Sequence, residues 1–120
     1  MDITISKSNR KDKKFKAVID NKKTIHFGAS GFTDYTINKN NDIKDRYIQR
    51  HKKNENWNDY KTAGFYAKNI LWNKPTIQEA IKDTNKHFKN MHITYKYKSY
   101  CYLLLLDLLE LELEGVFGSD

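Results

Sequence analysis

The sequence contains one cysteine, one proline and five glycines, and it has no long apolar run. With Cys101 alone, no disulfide can form between residues of this sequence, which is typical of proteins in a reducing compartment. The longest apolar run, residues 101–106, ends at Asp107 and is far shorter than the roughly 20 residues that span a bilayer. Residues 1–14 lack the apolar segment of a secretory signal. Together these absences predict a soluble intracellular protein without a membrane span.

Acidic residues are scarce outside the C-terminal region. The net charge is +7 and the pI is about 9.4. Residues 1–100 hold all 22 Lys and Arg but only ten of the 15 acids, a net charge of +12. So basic a body attracts polyanions such as DNA, RNA or an acidic protein surface. Solvated lysines with no specific partner explain the same composition, and both interpretations stay open.

The hydrophobic fraction is only 38%, but 13% of the residues are aromatic, which argues against disorder. At 120 residues the chain is expected to form one domain with a small core. We divide it into a basic lead-in (1–14), a core domain (15–88) and a C-terminal extension (89–120) that carries an acidic, leucine-rich segment.

The hydrophobic pattern predicts strands first and helices later. Alternation in residues 15–19 and strand formers in 24–29 flank Asp20 and Asn21, which predicts a β-hairpin. Three helices are predicted after it: residues 41–54, a helix capped by Asn58, and a helix capped by Thr76. The fold class is therefore α+β, with an N-terminal β-hairpin packed on about three helices and a C-terminal strand and helix extension.

Specific side chains support these helices and the extension. Ile43 and Tyr47 share the inward face of the first helix, and Gly64 in the second suits close packing against a neighbouring element. In the extension, residues 92–98 alternate like a strand. Residues 103–114 favour a helix because leucine and glutamate propagate helices, although 111–114 alternate as a strand would.

Catalytic and metal-binding patterns are missing from the sequence. No pair among the four histidines, nor a histidine with Cys101, has a metal-ligand spacing, and there is no P-loop, G-x-G-x-x-G or G-x-S-x-G. Asp34 and His51 are the residue types of an acid–base pair, but nothing in the sequence brings them together. We therefore predict no catalytic residue, no metal and no cofactor, and a protein that is not an enzyme.

The segment after Asn41 is the strongest candidate for binding. On a helix, Arg46, Arg50 and Lys53 recur at i, i+4 and i+7, and we call these three residues the basic ridge. The alternative is a solvated helix face in which Asp42 pairs part of the charge. No base-reading signature is present, so we expect sequence-nonspecific contacts with phosphates. The candidate nucleic-acid-binding residues are Lys44, Arg46, Arg50, His51, Lys52, Lys53, Trp57 and Lys61.

The leucine-rich segment is a second candidate, for protein contacts. Its leucines need a burial site, either on the chain's own core, on another protein, or on a second copy of the chain. The residues in question are Leu104, Leu105, Leu108, Leu109 and Leu111.

Several short motifs follow one another within residues 24–88. They are HFG (26–28), GFTDYT (31–36), RYIQRH (46–51), Trp57, TAGF (62–65) and LWNKP (71–75). In these motifs the chain resembles a family of short basic proteins encoded by giant nucleocytoplasmic DNA viruses, of the mimivirus and algal-virus kind. The resemblance covers about half of the chain. It departs at Asn38, where that family tends to have histidine, and residues 89–120 look like an extension of the family core.

The resemblance implies a viral setting and supplies no mechanism, because that family has no assigned activity. Two hypotheses of function follow. The first is a small basic, non-enzymatic viral accessory protein that binds nucleic acid through the phosphate backbone. The second is a virion structural protein, such as a minor capsid or core component, that holds other virion proteins or copies of itself. Either would be located in the infected host cell, in the cytoplasm or virus factory, or be packaged in the virion.

Overall fold

A four-stranded sheet organises residues 1–96, which are the part of the chain that the computed structural model describes. Its strands are β1 (Asp2–Lys7), β2 (Lys13–Ile19), β3 (Lys23–Ala29) and β4 (His92–Tyr95), in the order β3-β2-β1-β4. β1 and β3 both run antiparallel to β2, whereas β4 is parallel to β1. The fold is therefore α+β, and the predicted hairpin is the β2–β3 part of this sheet.

Strict alternation gives the sheet one apolar face. The register aligns Ile3 with Ile19 and Ile93, and Ile5 with Ala17, so these side chains share a face. All five are buried. The β2–β3 turn has positive φ at Asp20 (49°) and Asn21 (58°), residue types that tolerate the left-handed region required there.

Four helices and a π-helical turn cover the apolar face. They are α1 (Tyr35–Asn38), α2 (Asn41–His51), α3 (Ala63–Tyr66), the π-helical turn Ala67–Leu71 that continues α3, and α4 (Ile77–His87). Residues from these helices join the sheet in one core: Tyr47, Phe65, Tyr66, Ile70, Leu71 and Ile81. The predicted cap of α4 is confirmed, because Thr76 Oγ1 accepts from the Glu79 N–H at 3.2 Å.

The second predicted helix begins later than expected. Asn58 was predicted to cap it, but residues 55–62 form a loop and Thr62 caps α3 by accepting from the Phe65 N–H at 3.2 Å. Asn56 Oδ1 accepts from the Asn58 N–H, and Asp59 Oδ1 from the Lys61 N–H. These local bonds satisfy backbone donors in a non-helical conformation, and this explains the late start. The first predicted helix also ends early, at His51 rather than residue 54.

The core extends beyond residues 15–88 on both sides. Residues 1–14, taken from the sequence as a basic lead-in, contain β1, whose Ile3 and Ile5 are fully buried. Residues 92–95, placed in the extension, form β4, as their alternation predicted. Asn85 on α4 fixes this strand: its side chain accepts from the Ile93 N–H at 2.8 Å and donates to the Ile93 carbonyl at 3.0 Å.

Two sequence predictions concern the membrane and the C-terminal segment. Within residues 1–96, none of the helices combines the length and the hydrophobicity that crossing a membrane requires. The leucine-rich segment, including Leu104, Leu105, Leu108, Leu109 and Leu111, lies outside the described residues.

Candidate functional site

A pocket of about 440 Å³ opens between the end of β3, the last turns of α2 and the start of α3. We call it the α2 pocket. Its lining comes from segments far apart in the sequence: Gly28 of the HFG motif, Phe32 and Asp34 of GFTDYT, Tyr47, Arg50 and His51 of RYIQRH, Ala63 and Gly64 of TAGF, and Leu71 and Trp72 of LWNKP. The short motifs of residues 24–88, apart from Trp57, therefore converge on one cavity. Its volume lies within the range of small-molecule sites, about 300–1,000 Å³.

Stacked rings form one wall of the α2 pocket. Tyr47 stacks on Trp72 with ring centroids 4.4 Å apart and planes 6° from parallel, and on His51 with centroids 4.3 Å apart. Tyr47 and Trp72 are buried, whereas His51 is half-buried at the more open end of the stack. Burial raises the pKa of Tyr47 to about 12; Glu55 also raises it and Arg50 lowers it. Tyr47 thus stays neutral at ordinary pH and lies within the fields of both charged side chains.

The side of the α2 pocket between β3 and α1 depends on Gly28 and on a buried ion pair. Gly28 has φ +80°, and a Cβ there would lie 2.7 Å from Leu71 Cδ1. Next to it, Lys14 Nζ donates to Asp34 Oδ2 at 2.6 Å, with the Asp34 side chain only 3% exposed. Asp34 Oδ1 accepts from the Thr36 N–H at 2.9 Å and from the Thr36 hydroxyl, so it caps α1.

These contacts bear on the acid–base pair considered from the sequence. Asp34 and His51 do line the same pocket. Both oxygens of Asp34 are, however, already engaged, Oδ2 with Lys14 and Oδ1 with Thr36. The carboxylate therefore has a structural task, holding Lys14 and the start of α1.

Charged groups without partners also line the α2 pocket. Within residues 1–96, neither the Arg50 guanidinium nor the Glu55 carboxylate has a hydrogen bond or a salt bridge, and the same holds for the ammonium of Lys13. Glu55 is half-buried and lies directly over Gly64, where an added Cβ would come 1.4 Å from Glu55 Oε2. Gly64 thus packs closely on a carboxylate of the preceding loop, where the sequence had suggested a neighbouring element as the partner.

The predicted nucleic-acid-binding residues separate into three groups. Arg50 and His51 line the α2 pocket, and Arg46, Lys52 and Lys53 lie exposed on or just after the same helix. Lys53 falls in the turn after α2, so the basic ridge ends beyond the helix. The predicted pairing of Asp42 with Arg46 is replaced by a backbone contact, with Arg46 Nε 3.4 Å from the Asp42 carbonyl.

The remaining predicted residues face elsewhere. Lys44 is half-buried and donates to the Asn73 carbonyl at 2.7 Å, and burial lowers its pKa. Trp57 lines a separate polar cleft with Asn69 and Asp83, where Lys68 Nζ lies 5.4 Å from its ring centroid. Lys61 is exposed, with Nζ 5.9 Å from the Tyr60 ring. Lys44 thus has a structural role, and the structure does not bring Trp57 to the ridge.

Sequence reasoning missed several pocket residues. Lys13, Phe32, Glu55, Gly64 and Trp72 were not among the candidates, although all line the pocket. The motifs GFTDYT, TAGF and LWNKP contain three of them and were the available signal. Lys13 and Glu55 belong to no motif, and nothing local marks them.

Comparisons with known proteins add a family without an assigned function. Residues 3–51 match the model of a family of unknown function, DUF5754. The chain is similar to that family over less than half of its length, from β1 to the end of α2. No curated protein and no solved structure matches the chain.

The matched segment contains one side of the α2 pocket, including Gly28, Phe32, Arg50 and His51, and stops before Glu55. In residues 1–96 no cluster of three or more histidine, cysteine or acidic side chains is arranged to hold a metal ion.

Proposed function

We propose that this protein is a small, basic, non-enzymatic accessory protein of a large DNA virus, and that it binds nucleic acid through the phosphate backbone. The viral setting rests on the motif resemblance alone. The binding rests on the basic ridge, Arg46, Arg50 and Lys53.

The observation that carries the proposal is that this ridge has no acidic partner within residues 1–96. Between the lysines and arginines of this part of the chain and its carboxylates, only Arg10 and Lys14 form ion pairs. The ridge residues are exposed, and Lys52 adds a further exposed charge beside them. Cations that the protein leaves unpaired release counterions when they meet phosphates, and this release is the main source of nonspecific affinity for nucleic acid.

The position of the ridge on α2 also has a structural benefit. Cations in the last turn interact favourably with the helix dipole, by about 0.3–1 kcal/mol each. Arg50 lies in that turn. The dipole explains a preference for cations there, but it does not explain the additional charges of Lys52 and Lys53 in the following turn.

A salt titration tests the proposal. Binding to duplex and single-stranded DNA is measured at low and moderate salt for the natural protein and for the triple variant Arg46→Ala, Arg50→Ala, Lys53→Ala. We expect the variant to lose affinity and to reduce the dependence of log K on log salt by about two to three, since each phosphate contact contributes about one.

A matched control separates the ridge from overall charge. The triple variant Lys22→Ala, Lys23→Ala, Lys89→Ala removes the same charge from exposed positions outside the α2 pocket. It should retain most of the salt dependence. No binding of the natural protein at low salt, or equal losses in the two variants, would exclude a nucleic-acid role for the ridge.

A further inference from the structure

The α2 pocket contains opposite charges that have no partner among residues 1–96. Arg50 and Lys13 are cationic, Glu55 is anionic, and in the described part of the chain none of the three has a side-chain hydrogen bond or salt bridge. Glu55 is also half-buried. A partly buried carboxylate without donors has a cost in free energy that a ligand with N–H groups removes. The pocket therefore suits a ligand with hydrogen-bond donors at one end and an anion at the other.

The aromatic content of the pocket adds a flat ring to these requirements. Phe32 is 71% exposed at its margin, in the loop between β3 and α1. His51, half-buried, ends the stack with Tyr47 and Trp72 on the pocket wall. Aromatic side chains that remain exposed beside cations bind unpaired bases by stacking, because every base has a π-face. A duplex does not offer this contact, since its bases are already stacked and paired.

The acceptor at Glu55 distinguishes between bases. A carboxylate only accepts hydrogen bonds, and its two oxygens match two adjacent donors. Guanine presents such a pair on its Watson–Crick edge, and cytosine and adenine present one amino group. Uracil flanks its single N–H with two carbonyl oxygens, which a carboxylate repels.

We propose that the α2 pocket binds one unpaired nucleotide of a single strand. Its base stacks on Phe32 and donates to Glu55, and its phosphate lies on Arg50 and Lys13. This inference rests on the proposed nucleic-acid function and extends it, because the basic ridge alone would not distinguish single strands or bases. Arg50 belongs to both, so the strand passes from the ridge into the pocket.

Mononucleotides test the pocket separately from the ridge. GMP, CMP and UMP are titrated by calorimetry into the natural protein. The indole N–H signal of Trp72 in NMR spectra reports where they bind, because Trp72 lines the pocket. We expect GMP to bind best and UMP weakest, with about a tenfold ratio, the discrimination typical of a good two-point contact to a base. Equal affinities, or no binding of any nucleotide at millimolar concentration, would overturn the pocket proposal.

Two variants isolate the role of Glu55. Glu55→Gln keeps the shape and adds a donor, so the preference of GMP over UMP should fall about tenfold. Gly64→Ala retains all charges, but its Cβ occupies the place of the Glu55 carboxylate and moves that flexible side chain aside. It should reduce the preference similarly. A GMP preference that survives both substitutions counts against the proposal.

A matched control is an exposed cation outside both the pocket and the ridge. Arg50→Ala should weaken the binding of all three nucleotides, whereas Lys22→Ala, in the exposed turn between β2 and β3, should leave it unchanged. Selective mononucleotide binding without DNA binding would refute the ridge and retain the pocket. DNA binding through the ridge, with no preference among the mononucleotides, would refute the pocket and retain the ridge.

Discussion

Gly28 lines the α2 pocket and Gly31, three residues later, does not, so substitutions at the two glycines allow a matched comparison. Both have strongly positive φ, +80° and +86°. A Cβ at Gly28 would lie 2.7 Å from Leu71 Cδ1 and 3.3 Å from Lys14 Cβ, whereas a Cβ at Gly31 would meet nothing within 4 Å. An alanine at either position therefore adopts the same unfavourable backbone conformation, but only at Gly28 does it also collide with the core.

The two costs can be estimated separately. A left-handed conformation costs an alanine about 1–2 kcal/mol. Overpacking a well-packed core costs about 1–3 kcal/mol more. Leu71 is 1% exposed, so its methyl has little room to retreat. We therefore expect Gly28→Ala to lower the free energy of unfolding by about 2–5 kcal/mol and Gly31→Ala by about 1–2 kcal/mol.

Urea unfolding of both variants and the natural protein measures these changes as shifts in midpoint at a constant m-value. A thermal midpoint gives a second measure, since about 1 kcal/mol corresponds to about 4–8 °C in a domain of this size. If Gly28→Ala is no less stable than Gly31→Ala, Leu71 moves freely and the contact between Gly28 and Leu71 is not closely packed.

Three further predictions concern single side chains. Tyr66→Phe should raise stability by about 1 kcal/mol in thermal unfolding, because the Tyr66 hydroxyl is buried without a partner among the described residues. As the control, Tyr35→Phe removes a 2.6 Å hydrogen bond and should lower stability by a similar amount. A loss of stability in both variants would show that the Tyr66 hydroxyl has a hydrogen-bond partner. Burial raises the pKa of Tyr47 to about 12, so its contribution to stability is complete below about pH 10 and is lost as the pH rises towards 12. Tyr47→Phe should therefore flatten the curve of stability against pH between these values. An unchanged slope in the variant would contradict the burial of the Tyr47 hydroxyl. Asn85→Ala should uncover the outer edge of β4 at Ile93 and cause association that increases with protein concentration, measured by light scattering. The control is Lys86→Ala, which is exposed on the same helix. An Asn85→Ala variant that stays monomeric at all concentrations would refute this role.

The sequence correctly predicted those elements that are specified by residues close together in the chain. The β2–β3 hairpin follows from the alternation of Ala17 and Ile19 and from Asp20 and Asn21 in the turn. The start of α4 follows from Thr76 and its capping contact, three residues apart. Such signals need no knowledge of the rest of the chain.

The strand β1 was missed because its signal is not local. Ile3 and Ile5 are its only large apolar residues, and polar and basic residues surround them. Their burial depends on pairing with Ile93, which lies far along the sequence. The short segment thus looked like the basic residues that follow it.

The α2 pocket was missed for a related reason. RYIQRH predicted an inward Tyr47 and outward arginines, and the structure has both. The sequence does not show that Glu55 folds back over Gly64, or that Lys13 and Phe32 come to the same place. These positions depend on tertiary distances between segments, and no spacing along the chain contains them.

The parallel pairing of β1 with β4 has a consequence for synthesis on the ribosome. β1 can pair with β2 early, but its other edge has no partner until residues 92–95 have been made, roughly 85 residues after β1 ends. At about 5–20 residues per second, that edge stays unpaired for roughly 4–17 seconds. During this time Ile3 and Ile5 lie on a strand that any other exposed edge can join. The nascent chain is thus most vulnerable to misassociation before α4 and β4 emerge, and a chaperone that binds its first strand would act in that interval.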